Sequence, residues 1–122
     1  MMEVSIVIPC LNEEVTLPSC IKKAQEGLRL AGVRGEILVV DNGSTDRSVE
    51  IARSLGASVV SESVRGYGAA LRRGFSHSTS EYIVMADADD SYDFRRVGDF
   101  VAKLSEGWDL VVGSRLKGTI AL

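Results

Sequence analysis

The sequence predicts an α/β domain with a mostly parallel sheet layered between helices. Two observations carry that prediction. Short apolar runs alternate with amphipathic stretches in the order βαβαβαβαβ, and the connections between them are short, which calls for crossover units. A third observation concerns chemistry: the apolar run Tyr82-Ile83-Val84-Met85-Ala86 ends abruptly in Asp87, Asp89 and Asp90.

Val4 to Ile8 is the first strand, halted by Pro9. Asn12-Glu13-Glu14 opens a helix reaching about Gly32, with Val15, Leu17, Cys20, Ile21, Ala24, Leu28 and Ala31 spaced for an apolar face. Glu36 to Val40 is a second strand, apolar enough at its centre to be covered on both sides. The turn Asp41-Asn42-Gly43-Ser44 ends it. Ser44 or Thr45 can cap a second helix that places Val49, Ile51, Ala52 and Leu55 on or near one face and ends at Gly56. Ala57 to Ser61 is a short third strand. Gly66 to about His77 is a third helix, with Ala69, Ala70, Leu71 and Phe75 inward and Arg72 and Arg73 outward. The fourth strand ends at Asp87, a helix runs from about Asp93 to Leu104, and Trp108 to Val112 is the fifth strand.

All 122 residues fit one domain with a single core. A hydrophobic fraction of 45% and a charged fraction of 25% are those of an ordinary globular chain. The net charge of −3 argues against a nucleic-acid partner, whose phosphates call for a basic surface. No run approaches the roughly 20 apolar residues of a membrane span. Met1 to Ser5 lacks the basic and apolar regions of a signal peptide. Cys10 and Cys20 have neither metal-ligand nor redox spacing, and are expected to be reduced thiols near the first strand and helix, in a cytosolic compartment. His77 is expected at a solvated helix end.

In such sheets, ligands bind beyond the carboxyl ends of the strands, where strand order reverses. Chemically capable residues gather at that rim: Cys10-Leu11-Asn12-Glu13 after the first strand, Asp41-Asn42-Gly43-Ser44 after the second, Asp87-Ala88-Asp89-Asp90 after the fourth and Gly113-Ser114-Arg115 after the fifth. General loop polarity explains the polar character but not an acid recurring after three strands. Side chains alternate along a strand, so Asp87 and Asp89 point the same way, and crowded carboxylates are relieved by a divalent cation. Arg65-Gly66-Tyr67-Gly68 precedes a helix, where free N–H groups can hold an anion. It lacks the lysine and hydroxyl of a P-loop, which disfavours ATP hydrolysis.

Four segments in order, Ile6-Val7-Ile8-Pro9-Cys10-Leu11-Asn12-Glu13-Glu14, Val40-Asp41-Asn42-Gly43-Ser44-Thr45-Asp46, Gly66-Tyr67-Gly68-Ala69-Ala70 and Asp87-Ala88-Asp89, resemble family 2 glycosyltransferases of the three-layer α/β/α GT-A fold. Within the family, Gly66 to Phe75 and Gly113-Ser114-Arg115 resemble the polyprenyl-phosphate hexosyltransferases, such as dolichyl-phosphate mannose or glucose synthases.

The resemblance implies an inverting, metal-dependent transfer of a hexosyl group from a UDP- or GDP-sugar to an acceptor such as a polyprenyl phosphate. It implies that Pro9, Asn12 and Glu13 wall the nucleotide pocket, with Gly43, Ser44, Gly66, Gly68 and Ala88 beside it. Asp41 resembles the acceptor for the base N–H. Asp87 resembles the carboxylate near ribose and metal, Asp89 the direct ligand of Mg²⁺ or Mn²⁺, and Arg115 the arginine that meets phosphate. A largely ionised phosphate acceptor needs no general base, whereas a saccharide hydroxyl, the alternative acceptor, needs one.

Family members continue into an acceptor-binding half, so residues 1–122 are expected to be the nucleotide-sugar-binding part, truncated before that half. Such a part is expected to bind nucleotide and metal weakly and turn over poorly. Membrane association is expected only through the remainder, and localisation in the cytoplasm or at the cytoplasmic membrane face. An uncovered edge and apolar surface leave room for a homo-oligomer. Two further readings stay open: a non-catalytic module of this fold, and a phosphotransferase with Asp87 as nucleophile.

Overall fold

The computed structural model describes residues 3–80, 82–85, 88, 95, 111–113 and 119–121. Among the described residues six strands form one sheet: β1 Glu3–Cys10, β2 Arg34–Asp41, β3 Ser58–Ser61, β4 Tyr82–Met85, β5 Val111–Gly113 and β6 Thr119–Ala121. The helices are α1 Leu17–Ala31, α2 Ser48–Ser54 and α3 Tyr67–His77. Strand order is β3-β2-β1-β4-β5-β6, with only the β5–β6 pair antiparallel. The chain thus winds outward from β1 to β3, then returns to the other side of β1 with β4. That reversal makes the carboxyl ends of β1 and β4 the switch point where ligands bind in open α/β sheets.

The central strand is buried on both faces. Val4, Ile6, Ile8 and Cys10 pack with Leu17, Ile21 and Ala24 of α1 and Ala52 of α2. Val7 packs on the opposite side with Leu38, Val40, Met85 and Ala70 of α3. A Cβ at Gly74 would stand 2.5 Å from Val7 Cγ1, so the glycine lets α3 lie hard against the sheet.

Several boundaries differ from the sequence expectations. Pro9 does not halt β1, which continues to Cys10 in register with Asp41. Among the described residues β1 pairs with β4 from Val4 to Val7 and with β2 along its whole length, so the pairing with β2 carries the strand through Pro9. The first helix begins at Leu17 rather than Asn12, because Asn12 takes φ 53 and the following N–H groups bond to another loop. Val15 is consequently 87% exposed rather than part of the apolar face.

Neither Ser44 nor Thr45 caps α2, whose N-cap is Arg47; the Ser48 N–H instead donates to Asp46 Oδ1 at 2.9 Å. Phe75, expected inward, is 42% exposed. The inward stripe of α3 is Ala70 and Gly74, and the next residue is rotated away from it. His77 is exposed at the end of α3, and Cys10 and Cys20 are free buried thiols in one core. β6 was not anticipated. The helix expected over 93–104 and the strand start at Trp108 lie outside the described residues.

Candidate functional site

A cleft of about 410 Å³ opens at the switch point. Pro9, Cys10, Leu11 and Glu13 form one wall where β1 ends, and Asn42 adds the end of β2. Arg65, Gly66, Tyr67 and Ala70 come from the start of α3, and Ala88 from just beyond β4.

Two loops beside the cleft are interlocked by reciprocal bonds. The N–H groups of Asn12, Glu13 and Glu14 donate in turn to Ser44 Oγ (2.9 Å), Ser48 Oγ (3.0 Å) and Asp46 Oδ2 (3.1 Å). In return, Asn12 Oδ1 accepts the N–H of Thr45 at 2.8 Å and of Asp46 at 3.3 Å, and Glu14 Oε2 accepts that of Arg47 at 3.3 Å. Hydrogen bonding from Ser48, first from its hydroxyl, holds the Asp46 carboxyl below the usual aspartate range. Asn12 and Ser44 are therefore spent on shaping the wall rather than facing its interior.

Asp41 ends β2 and is 5% exposed. Its Oδ2 accepts the N–H groups of Gly43 (3.2 Å) and Ser44 (3.1 Å), which closes the turn. Its Oδ1 is buried with no hydrogen-bond partner among the described residues, a costly state for a carboxylate oxygen. Asn42 points the other way along the rim: its Nδ2 donates to the carbonyls of Glu62 and Val64, both at 2.8 Å, and its Oδ1 accepts the Gly66 N–H at 2.9 Å.

Gly43, at φ 98, leaves room for the Arg65 guanidinium, whose Nη2 lies 3.6 Å from where a Cβ would stand. Burial pushes the Cys10 thiol up, outweighing the Ser48 and Ser44 hydroxyls that act the other way. It is a neutral wall group at physiological pH. At the β4 side, Thr16 Oγ1 stands 2.6 Å from the carbonyl oxygen of buried Ala88 and 3.2 Å from Glu13 Oε2.

Of the residues singled out from sequence, Pro9, Glu13, Gly66 and Ala88 line the cleft. Asp41 stands at the end of the adjoining strand, Asn12, Gly43 and Ser44 build the supporting loops, and Gly68 is exposed and outside the lining. Asp87, Asp89 and Arg115 lie outside the described residues. Among the described residues, no group of three His, Cys, Asp or Glu side chains could hold a metal ion. Sequence reasoning missed Thr16, whose partner Ala88 lies 72 residues away, so no local spacing pointed to it. Asn42 and Arg65 fall in the segments Asp41-Asn42-Gly43-Ser44 and Arg65-Gly66-Tyr67-Gly68 singled out from sequence.

The model of a protein family described as glycosyl transferase family 2 matches residues 5–121. The chain belongs to that family. The chain is similar to the low-salt glycan biosynthesis hexosyltransferase Agl6 of Haloferax volcanii, 39% identical over 117 residues that cover 95% of this chain and 28% of that protein. Among solved structures it resembles mannosyl-3-phosphoglycerate synthase from Rubrobacter xylanophilus, with TM-score 0.67 and 31% identity over 72% of this chain and 31% of that one. It also resembles glucosyl-3-phosphoglycerate synthase from Mycobacterium tuberculosis in complex with Mn²⁺, UDP and glucosyl-3-phosphoglycerate, with TM-score 0.63 and 32% identity over 71% of this chain and 33% of that one. The chain thus spans about a third or less of each of these glycosyltransferase relatives. The α/β sheet with alternating helices is the GT-A arrangement it shares with these structures.

Proposed function

We propose that this chain is the donor-binding part of an inverting glycosyltransferase that moves a hexosyl group from a UDP- or GDP-sugar to a phosphate-bearing acceptor. A polyprenyl phosphate is the acceptor we favour. One observation carries the reading: Asp41, whose buried Oδ1 has no partner among the described residues, ends the strand adjoining a cleft at the β1/β4 switch point, and Ala88 lines that cleft. A base N–H would supply the partner that Asp41 Oδ1 lacks, and a site built around such a bond discriminates strongly among ligands.

The donor set at 87–89 fits Mg²⁺ or Mn²⁺. The Ala88 carbonyl has Thr16 as a donor, and the two flanking aspartates offer the hard carboxylate oxygens these ions prefer. Such an ion, when bound, neutralises charge on the departing diphosphate. Arg65 and Arg115 would share that charge.

The related glucosyl-3-phosphoglycerate synthase was crystallised with Mn²⁺, UDP and a phosphorylated product, which supports a metal, a uridine nucleotide and an anionic acceptor here as well. Where the phosphate oxygen itself attacks, as in a polyprenyl phosphate, no general base is needed. We place the reaction in the cytoplasm, at the membrane face when the acceptor is a lipid phosphate; the free thiols Cys10 and Cys20 suit that compartment.

A thermal-shift panel of UDP-, GDP- and dTDP-sugars, each with and without Mn²⁺, tests the reading. A ligand at about 100 times its Kd adds roughly 2.7 kcal/mol of stability. Stabilisation by one of these sugars is expected, greater with Mn²⁺, weakened by Asp41→Asn and stripped of its metal component by Asp89→Ala. A panel in which no nucleotide sugar stabilises the protein would sink the proposal.

A further inference from the structure

We infer that Thr16 is a positioning residue for the metal-binding aspartates, holding the backbone between Asp87 and Asp89 against the start of α1. The inference rests on the proposed metal reading of those two acids.

Thr16 occupies the N-cap position of α1, where a threonine hydroxyl ordinarily accepts an N–H from the first helical turn. Here that bond is absent: Thr16 has helical dihedrals, φ −95 and ψ −25, and Pro18 in the first turn brings no N–H. The hydroxyl is directed outward instead, to the Ala88 carbonyl at 2.6 Å across 72 residues of sequence. Its other near neighbour, Glu13 Oε2 at 3.2 Å, is also an acceptor, so the single hydroxyl proton goes to the closer oxygen.

Two consequences follow from the placement. Ala88 is 3% exposed, so its carbonyl depends on this donor in place of water. Ala88 also lies between the two aspartates in sequence, so Thr16 holds a peptide directly attached to Asp89 and one residue from Asp87. Thr16 itself is anchored, because the Glu13 N–H is bonded to Ser48 and the Glu13 carbonyl accepts the Leu17 N–H at 2.8 Å. The interlocked loops on the nucleotide side are thereby tied to the acid-bearing segment on the metal side through one hydroxyl.

Outer partners that orient ligand-bearing groups typically govern 10- to 100-fold in metal affinity. Mn²⁺ binding to the full chain, read as loss of the free-ion electron paramagnetic resonance signal, should weaken about 10-fold in Thr16→Val. Thr16→Ser, which keeps the hydroxyl, should stay within about threefold of the unsubstituted chain by the same reasoning. UDP binding in EDTA should change little in either variant, whereas the metal-free melting temperature should fall in Thr16→Val, which takes a donor from the buried Ala88 carbonyl, and hold in Thr16→Ser. If Thr16→Val does not fold, Thr16→Ala carries the same expectation.

Unchanged Mn²⁺ affinity in Thr16→Val overturns the inference. So does a loss of metal-free UDP binding in step with the loss of Mn²⁺ affinity, since that marks a general structural role. A failure of the underlying reading looks different: Mn²⁺ then binds the unsubstituted chain and Asp89→Ala alike, or neither, which overturns both.

Discussion

Asn42 and Gly66 are 24 residues apart, yet the Asn42 amide holds the Gly66 N–H at 2.9 Å while gripping the Glu62 and Val64 carbonyls at 2.8 Å. One side chain at the end of β2 thus shapes the whole approach to α3, and with it the wall carrying Arg65, Gly66 and Tyr67. Replacing Asn42 by Asp keeps the size, removes both donors and sets a carboxylate oxygen against two carbonyls. A loss of about 1–2 kcal/mol is expected, since two part-buried carbonyls lose their donor and face a carboxylate oxygen. Urea denaturation of Asn42→Asp against the parent chain measures it.

Asn12 combines a positive φ of 53 with the two N–H bonds from Thr45 and Asp46. Asn12→Ala loses both bonds and leaves a Cβ in a region that costs such residues about 1–2 kcal/mol. Asn12→Gly loses the bonds alone. Alanine should therefore be the more destabilising of the two by about 1 kcal/mol, and equal denaturation midpoints would show that φ strain is unimportant here.

Asp46 carries the pH dependence of the interlocked loops. Its folded-state pKa is lowered from the ordinary 3.8, chiefly by the Ser48 hydroxyl. A group depressed in this way stabilises the fold fully above its unfolded pKa and loses that contribution as pH falls through its folded pKa. The acid limb below about pH 4 should accordingly be shallower in Asp46→Asn than in the parent. Urea midpoints across that range provide the comparison, and superimposable limbs would count against the assignment.

Among the described residues lining the cleft Arg65 supplies the positive charge, and it is exposed. Arg65→Gln should leave the melting temperature of the free protein nearly unchanged, while weakening UDP about 10-fold, the scale of one charge-assisted hydrogen bond. Uridine, lacking the diphosphate, should be indifferent. Calorimetry with both ligands separates a phosphate contact from a base contact, since the latter would weaken the two together.

Much of the architecture was legible in the residues because burial on both faces leaves a plain signature. Val4 to Ile8 and Ile37 to Val40 are nearly continuous apolar runs, and both are central strands. The amphipathic spacing of Leu17, Cys20, Ile21, Ala24 and Leu28 likewise matches the buried face of α1. Element edges were less legible. Pro9 reads as a stop until its pairing with Val40 is seen, and Phe75 reads as core until Gly74 is seen against Val7.

What the amino-acid order determined by itself is the layered α/β plan, the family, and the set of chemically capable residues placed after the strands. Those follow from periodicity and from short-range turn chemistry, which any stretch of chain carries locally. Tertiary structure decided the division of labour among those residues. Asn12, Ser44 and Asp46 bind one another across two loops, Asn42 ties down the approach to α3, and Thr16 reaches Ala88. A hydrogen bond depends on distances of about 3 Å between groups, and only folding around the β1/β4 reversal brings residues so far apart in sequence within that reach.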